Sequence, residues 1–127
     1  MNTQIPKRLL IIDDDEDLQE LFRRFMEKEG FNVAAAGDGL LGLAKAHAFN
    51  PDLIVLDLMM PNLNGFDTLH RLQKEGLGRI PVIVITGFSE QASEQVIRQE
   101  PNVVDFLSKP IKYGELTALI RRVLADR

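Results

Sequence analysis

The sequence predicts an α/β domain of the doubly wound kind, a parallel sheet with helices on both faces. Three observations carry this. Short apolar runs and amphipathic segments alternate five times along the chain, the connections between them are short, and Leu9–Ile12 and Leu53–Leu56 are apolar at every position, as strands buried on both faces require. At 127 residues the chain fits one domain with a core over about 8–125, large enough to bury roughly two thirds of the surface its unfolded form exposes.

The first strand is expected within Lys7–Ile12, ending at the carboxylates Asp13, Asp14 and Asp15. Leu18, Leu21, Phe22, Phe25 and Met26 then recur at helical spacing, with acids at the start and Gly30 after the last turn. Phe31–Ala36 is a weaker strand candidate, and Gly37-Asp38-Gly39 marks a turn. Leu40, Leu43, Ala44 and His47 predict the face of a second helix, which Asn50-Pro51 ends. The central strand follows and stops at Asp57, before the loop Leu58-Met59-Met60-Pro61. Phe66, Leu69 and Leu72 predict a third helix, closed by Gly76 and Gly78. Ile80–Thr86 is the fourth strand, with Pro81 tolerable near its start. Ser89 can cap a fourth helix running to about Gln99, whose few apolar positions, chiefly Ala92, Val96 and Ile97, predict loose attachment. Val103–Leu107 is the fifth strand, Lys109-Pro110 follows, and Leu116, Leu119, Ile120, Val123 and Leu124 form the stripe of a last helix.

Composition excludes several classes. There is no cysteine, hence no disulfide, thiolate metal site or cysteine nucleophile. The net charge is −4, from 19 acidic and 15 basic residues interspersed, with no basic run longer than a pair, which argues against direct nucleic-acid binding by this domain. Most of the seven Phe and the single Tyr fall at apolar periodic positions, so a base-stacking platform is not expected. The N-terminal stretch meets only four apolar residues before the acids, too few for a signal peptide or membrane insertion, and a cytoplasmic location is expected.

If the crossovers are right-handed, every strand ends on one rim, and that rim collects Asp13, Asp14, Asp57, Thr86 and Lys109. Unit charges about 4 Å apart interact by roughly 4 kcal/mol at an effective dielectric of 20, so such a cluster of carboxylates favours a cation. With oxygen donors alone the expected ion is Mg²⁺, or Mn²⁺, rather than Zn²⁺. A cation, a lysine and a hydroxyl around one carboxylate can clamp a phosphoryl group, and the carboxylate can itself be the nucleophile. Taken singly these residues have plainer readings: Asp13–Asp17 as the acidic start of a helix, Thr86 as a strand end, Lys109 as a solvated charge. His47 and His70 have no catalytic partner in the sequence and are expected to be structural or solvated.

These residues together resemble the receiver domain of two-component response regulators, over Arg8 to Leu124. The motifs are Ile-Ile-Asp13-Asp14-Asp15-Glu, Leu-Asp57-Leu-Met-Met-Pro61, Gly65, Thr86-Gly87 and Phe106-Leu-Ser-Lys109-Pro110. The resemblance implies a flavodoxin-like (βα)5 fold with strand order 2-1-3-4-5. It also implies Asp57 as phosphoacceptor, and Asp14, Asp57 and the Met59 backbone carbonyl as Mg²⁺ ligands, with Asp13 acting through water. Lys109 and Thr86 would hold phosphoryl oxygens, and Lys109-Pro110 would be a cis peptide. The implied donor is a histidine kinase or histidine phosphotransfer protein, with the first helix as its docking surface. The implied readout is a switch in which Thr86 moves, Phe106 turns, and the face of the fourth helix, fifth strand and fifth helix changes shape to control a partner or effector. For Phe106 plain core packing is the alternative. The chain is expected to be a single receiver domain without an effector domain, and a signalling domain rather than an enzyme.

Two features depart from the family pattern. Met59 and Phe88 are bulky side chains at the mouth of the proposed site, expected to hinder an attacking water and prolong the phosphorylated state. Glu100-Pro101-Asn102-Val103-Val104 replaces the usual small-residue turn before the fifth strand. Two rival readings fit less well. A phosphohydrolase of the haloacid-dehalogenase type would need a second Asp where Met59 stands, and a cap domain. An FMN-binding electron carrier would bring a phosphate to the loop where Asp13-Asp14-Asp15 repels one.

Overall fold

The computed structural model describes residues 5–60, 62–87 and 98–126. Nine elements follow one another within them: β1 (Arg8–Ile12), α1 (Glu16–Lys28), β2 (Asn32–Ala36), α2 (Gly39–Phe49), β3 (Leu53–Asp57), α3 (Gly65–Lys74), β4 (Val82–Thr86), β5 (Val103–Ser108) and α4 (Tyr113–Ala125). The strands form one sheet in the order β2-β1-β3-β4-β5, and every pairing is parallel, the flavodoxin-like arrangement. Phe88 and the predicted fourth helix lie outside the described residues, apart from the turn at Arg98 and Gln99.

Because alternate strand residues face opposite sides, the apolar runs divide between two cores. Leu10, Ile12, Ile54, Leu56, Val82 and Val84 pack with α2 and α3, while Leu9, Ile11, Leu53, Val55, Ile83 and Ile85 pack with α1 and α4. The central strands β3 and β4 are buried throughout, whereas the edge strands β2 and β5 are only partly covered. The β4–β5 register slips at Val82/Ile83, passing over Val104.

Local chemistry sets the helix ends. Asp15 accepts from the N–H groups of Asp17 and Leu18, Asp38 from Leu41, and Asn64 from Asp67, each satisfying donors at a helix start. Asn50 closes α2 in the left-handed region at φ 54.

Several expectations are corrected. Leu21 of the first stripe is 55% exposed, because Phe22 and Met26 take the core positions of α1 and Leu21 falls at the edge of that arc. In α2 the predicted face of Leu40, Leu43, Ala44 and His47 is wrong except at Leu43. The buried face is Gly39, Gly42, Leu43 and Ala46. Small residues let this helix lie against the sheet: a Cβ at Gly42 would stand 2.5 Å from Ile12 Cδ1. The fourth strand begins at Val82 rather than Ile80, and the fifth continues to Ser108.

Candidate functional site

All strands being parallel, their C-terminal ends share one rim, and β1, β3 and β5 deliver Asp13, Asp57 and Lys109 to it in contact. Lys109 Nζ lies 3.2 Å from Asp13 Oδ2 and 3.3 Å from Asp57 Oδ2, so one ammonium bridges two buried carboxylates. Asp13 is fully buried, Asp57 is 3% exposed and Asp14 is exposed. Oxygens of all three aspartates come within 4.8 Å of one another.

The backbone holds this arrangement from several sides. Asp13 N–H donates to Ala36 O at 3.0 Å, and Asp13 Oδ1 accepts from Asp15 N–H at 2.9 Å. Beyond β3, Leu58 N–H donates to Ile85 O, and Gly65 N–H donates to Leu58 O at 2.9 Å, folding the start of α3 against the strand end. Met59 N–H donates to Asp57 Oδ1 at 3.3 Å. Lys109 N–H donates to Thr86 O at 2.8 Å, tying the end of β5 to that of β4, and the Lys109-Pro110 bond is cis.

Burial, and then the charge of Asp13, pushes the Asp57 carboxyl from 3.8 up to about 6, against the opposing pull of Lys109. Asp13 is likewise raised by burial. Burial acts to lower Lys109, but the charges of Asp13 and Asp57 outweigh it and hold the ammonium above its ordinary value.

The donor set fits a hard divalent cation. Asp13 Oδ2 is buried without a hydrogen bond, its approach to Lys109 being an ion pair lacking hydrogen-bond geometry. The cluster offers oxygen ligands alone, all within 4.8 Å of one another, the donor chemistry that hard divalent cations take. Asp13, Asp14 and Asp57 could therefore hold Mg²⁺ or Mn²⁺, which would relieve their mutual repulsion.

Of the remaining predicted residues, Thr86 and Met59 lie at the same strand-end rim, Phe106 lies within β5, and His47 and His70 lie in helices away from the cluster. Thr86 ends β4 and is buried, its hydroxyl donating to Gly87 O at 3.1 Å. The Met59 side chain is 64% exposed. Phe106 on β5 is 9% exposed, with the Arg98 guanidinium 5.4 Å from its ring centroid. His70 is exposed, whereas His47 pairs across helices with Glu75 at 2.8 Å. Sequence reasoning missed Gln19, whose side-chain amide donates to the Asp13 carbonyl; a polar residue within a helical turn carries no periodic signal.

The model of the response regulator receiver domain family matches residues 9–121. The DNA-binding response regulator MtrA of Mycobacterium leprae (strain TN) is 34% identical over 115 residues, covering 91% of this chain and 50% of MtrA. The alkaline phosphatase synthesis transcriptional regulatory protein PhoP of Bacillus subtilis (strain 168) is 33% identical over 118 residues, covering 93% of this chain and 48% of PhoP. The chain thus spans about half the length of these relatives. Among solved structures, a CheY-like response regulator receiver domain protein from Methanospirillum hungatei JF-1 superposes with a TM-score of 0.87 at 26% identity, covering 96% of each chain. The receiver domain of the Francisella response regulator 1452 gives a TM-score of 0.84 at 27% identity, covering 94% of this chain and 98% of that one.

Proposed function

Because the chain belongs to the response regulator receiver domain family, we propose that Asp57 accepts a phosphoryl group from a phosphohistidine and that the modified domain controls a downstream protein or effector. The donor is a histidine kinase or histidine phosphotransfer protein, and the location is cytoplasmic. Among the described residues no helix is long and apolar enough to cross a membrane. The observation that carries the reading is the Asp57 carboxylate, 3% exposed at the end of β3, in contact with Lys109 and clustered with two further aspartates.

In this reading a carboxylate oxygen of Asp57 attacks phosphorus. The new P–O bond forms as the N–P bond of the donor breaks, and the departing imidazole takes up a proton. Lys109, already 3.3 Å from Asp57 Oδ2, holds one phosphoryl oxygen, and the Thr86 hydroxyl turns from Gly87 O to hold another. Mg²⁺, or Mn²⁺, held by Asp13, Asp14, Asp57 and the Met59 carbonyl, would supply positive charge for the remaining phosphoryl oxygens. The domain is a phosphorylation-regulated signalling domain that turns over no other substrate.

Movement of Thr86 vacates space for Phe106, whose rotation reshapes the face made by β5 and α4; the fourth helix expected to share in this switch lies outside the described residues. Beside the site, Leu18 and Leu21 of α1 form a shallow apolar groove with Pro110, Ile111 and Tyr113, edged by Asp15 and Lys109, where the donor docks. Met59 and Phe88 retard loss of the phosphoryl group, so Phe88→Ala should speed aspartyl-phosphate decay; an unchanged or slower rate removes that role. The DNA binding named for MtrA is not extended to this domain, whose interspersed charges and net −4 give a phosphate backbone little to hold.

The reading is tested with a phosphorylated histidine phosphotransfer domain as donor. The expected result is transfer of at most one equivalent to this chain, blocked by chelation of divalent cations. Continuous turnover of an ordinary phosphomonoester would favour a phosphohydrolase instead.

A further inference from the structure

Gln19 lies in the first turn of α1, half-buried, and its side chain points back across the turn from β1. Its Nε2 donates to the Asp13 carbonyl oxygen, beside Gly37, where a Cβ would stand 3.7 Å away. The backbone of Asp13 is therefore fastened twice, by its own N–H to Ala36 O and by this amide on its carbonyl. The Asp13 side chain is also half committed, since Oδ1 accepts from Asp15 N–H while Oδ2, ion-paired with Lys109, faces the site without a hydrogen bond.

Asp14 is different. Its exposed carboxylate makes no hydrogen bond or ion pair among the described residues, so its direction is inherited from the backbone. The carbonyl that Gln19 holds belongs to the peptide joining Asp13 to Asp14, and rotation of that peptide would swing Asp14 out of the cluster. In the metal-free protein, repulsion from Asp13 and Asp57 favours such a swing.

We propose that Gln19 is a positioning residue for the cation site: its amide fixes the Asp13–Asp14 peptide so that both carboxylates converge with Asp57. The inference rests on the Mg²⁺ reading above. Groups that orient ligands from behind change metal affinity by about 10- to 100-fold. The plainer role, fastening the entry to α1, would alter thermal stability without altering cation affinity in the folded protein.

Charge and tether can be separated by substitution. Gln19→Glu removes the donor and adds negative charge, which by electrostatics alone tightens cation binding. Gln19→Lys keeps a donor of sufficient reach and adds positive charge, which by electrostatics alone weakens it. Mn²⁺ titration followed by electron paramagnetic resonance is the readout, with hydrogen exchange of the Asp14 amide as a metal-free measure. The tether predicts the reverse of the electrostatic order: about tenfold weaker binding and faster Asp14 exchange in Gln19→Glu, and binding near wild type in Gln19→Lys. Should Gln19→Glu fail to fold, Gln19→Asn, one methylene too short to reach, is held to the same prediction. Equal or tighter binding in Gln19→Glu, or an equal loss in both variants, overturns the positioning role. Absence of Mn²⁺ binding in the unaltered protein would instead overturn the cation site itself.

Discussion

Burial and the adjacent Asp13 charge raise the Asp57 carboxyl from 3.8 to about 6, so in the metal-free fold its ionised form is disfavoured relative to the unfolded chain. The folded state then binds the proton more tightly than the unfolded state. Its stabilising effect is complete below about 3.8 and is lost as pH rises through about 6. At neutral pH the charged carboxylate costs up to about 3 kcal/mol. Asp57→Asn should therefore stabilise the metal-free protein by about 1 to 3 kcal/mol at pH 7 and flatten the fall in stability between pH 4 and 6. Urea denaturation in the presence of a chelator measures both, and a less stable Asp57→Asn protein at pH 7 would contradict the electrostatic account. The same proton competes with the cation, so Mg²⁺ affinity, measured by calorimetry, should weaken as pH falls below about 6. Affinity unchanged between pH 7 and 5 would remove Asp57 from the ligand set.

At the scale of elements, the site depends on how closely neighbouring segments approach the end of β3. A Cβ at Gly65 would stand 2.7 Å from Leu58 Cα and 3.0 Å from Asp57 O, both backbone atoms with little freedom to give. Gly65→Ala should cost about 1 to 3 kcal/mol and slow phosphoryl uptake, because relief of the clash moves the residues that carry Asp57. An unchanged melting temperature would show that the β3–α3 junction has room to spare. The glycines also explain what was hard to read in the sequence. Leucine periodicity assigns α2 a face through Leu40, yet Leu40 and Leu41 are exposed and the helix buries Gly39, Gly42, Leu43 and Ala46. A pattern scored by side-chain hydrophobicity does not register a face chosen for closeness of approach. In α1 the same counting placed Leu21 in the core, whereas it edges the groove beside Lys109. By contrast, β1, β3 and β4 were legible because a strand buried on both faces is apolar at nearly every position.

At the scale of the molecule, a wholly parallel sheet turns sequence order into a shared rim. That is why Asp13, Asp57, Thr86 and Lys109 could be assembled from their positions after apolar runs alone. The sequence did not reveal that one lysine bridges both buried aspartates, or that Gln19 holds the turn between two of the carboxylates, because both depend on side-chain reach across loops. The central claim is that this assembly makes Asp57 the acceptor of a phosphoryl group. Intact-mass measurement after incubation with acetyl phosphate and Mg²⁺ tests it most directly. A gain of one phosphoryl group in the unaltered chain and none in Asp57→Asn is the predicted result; a gain that persists in Asp57→Asn would contradict it.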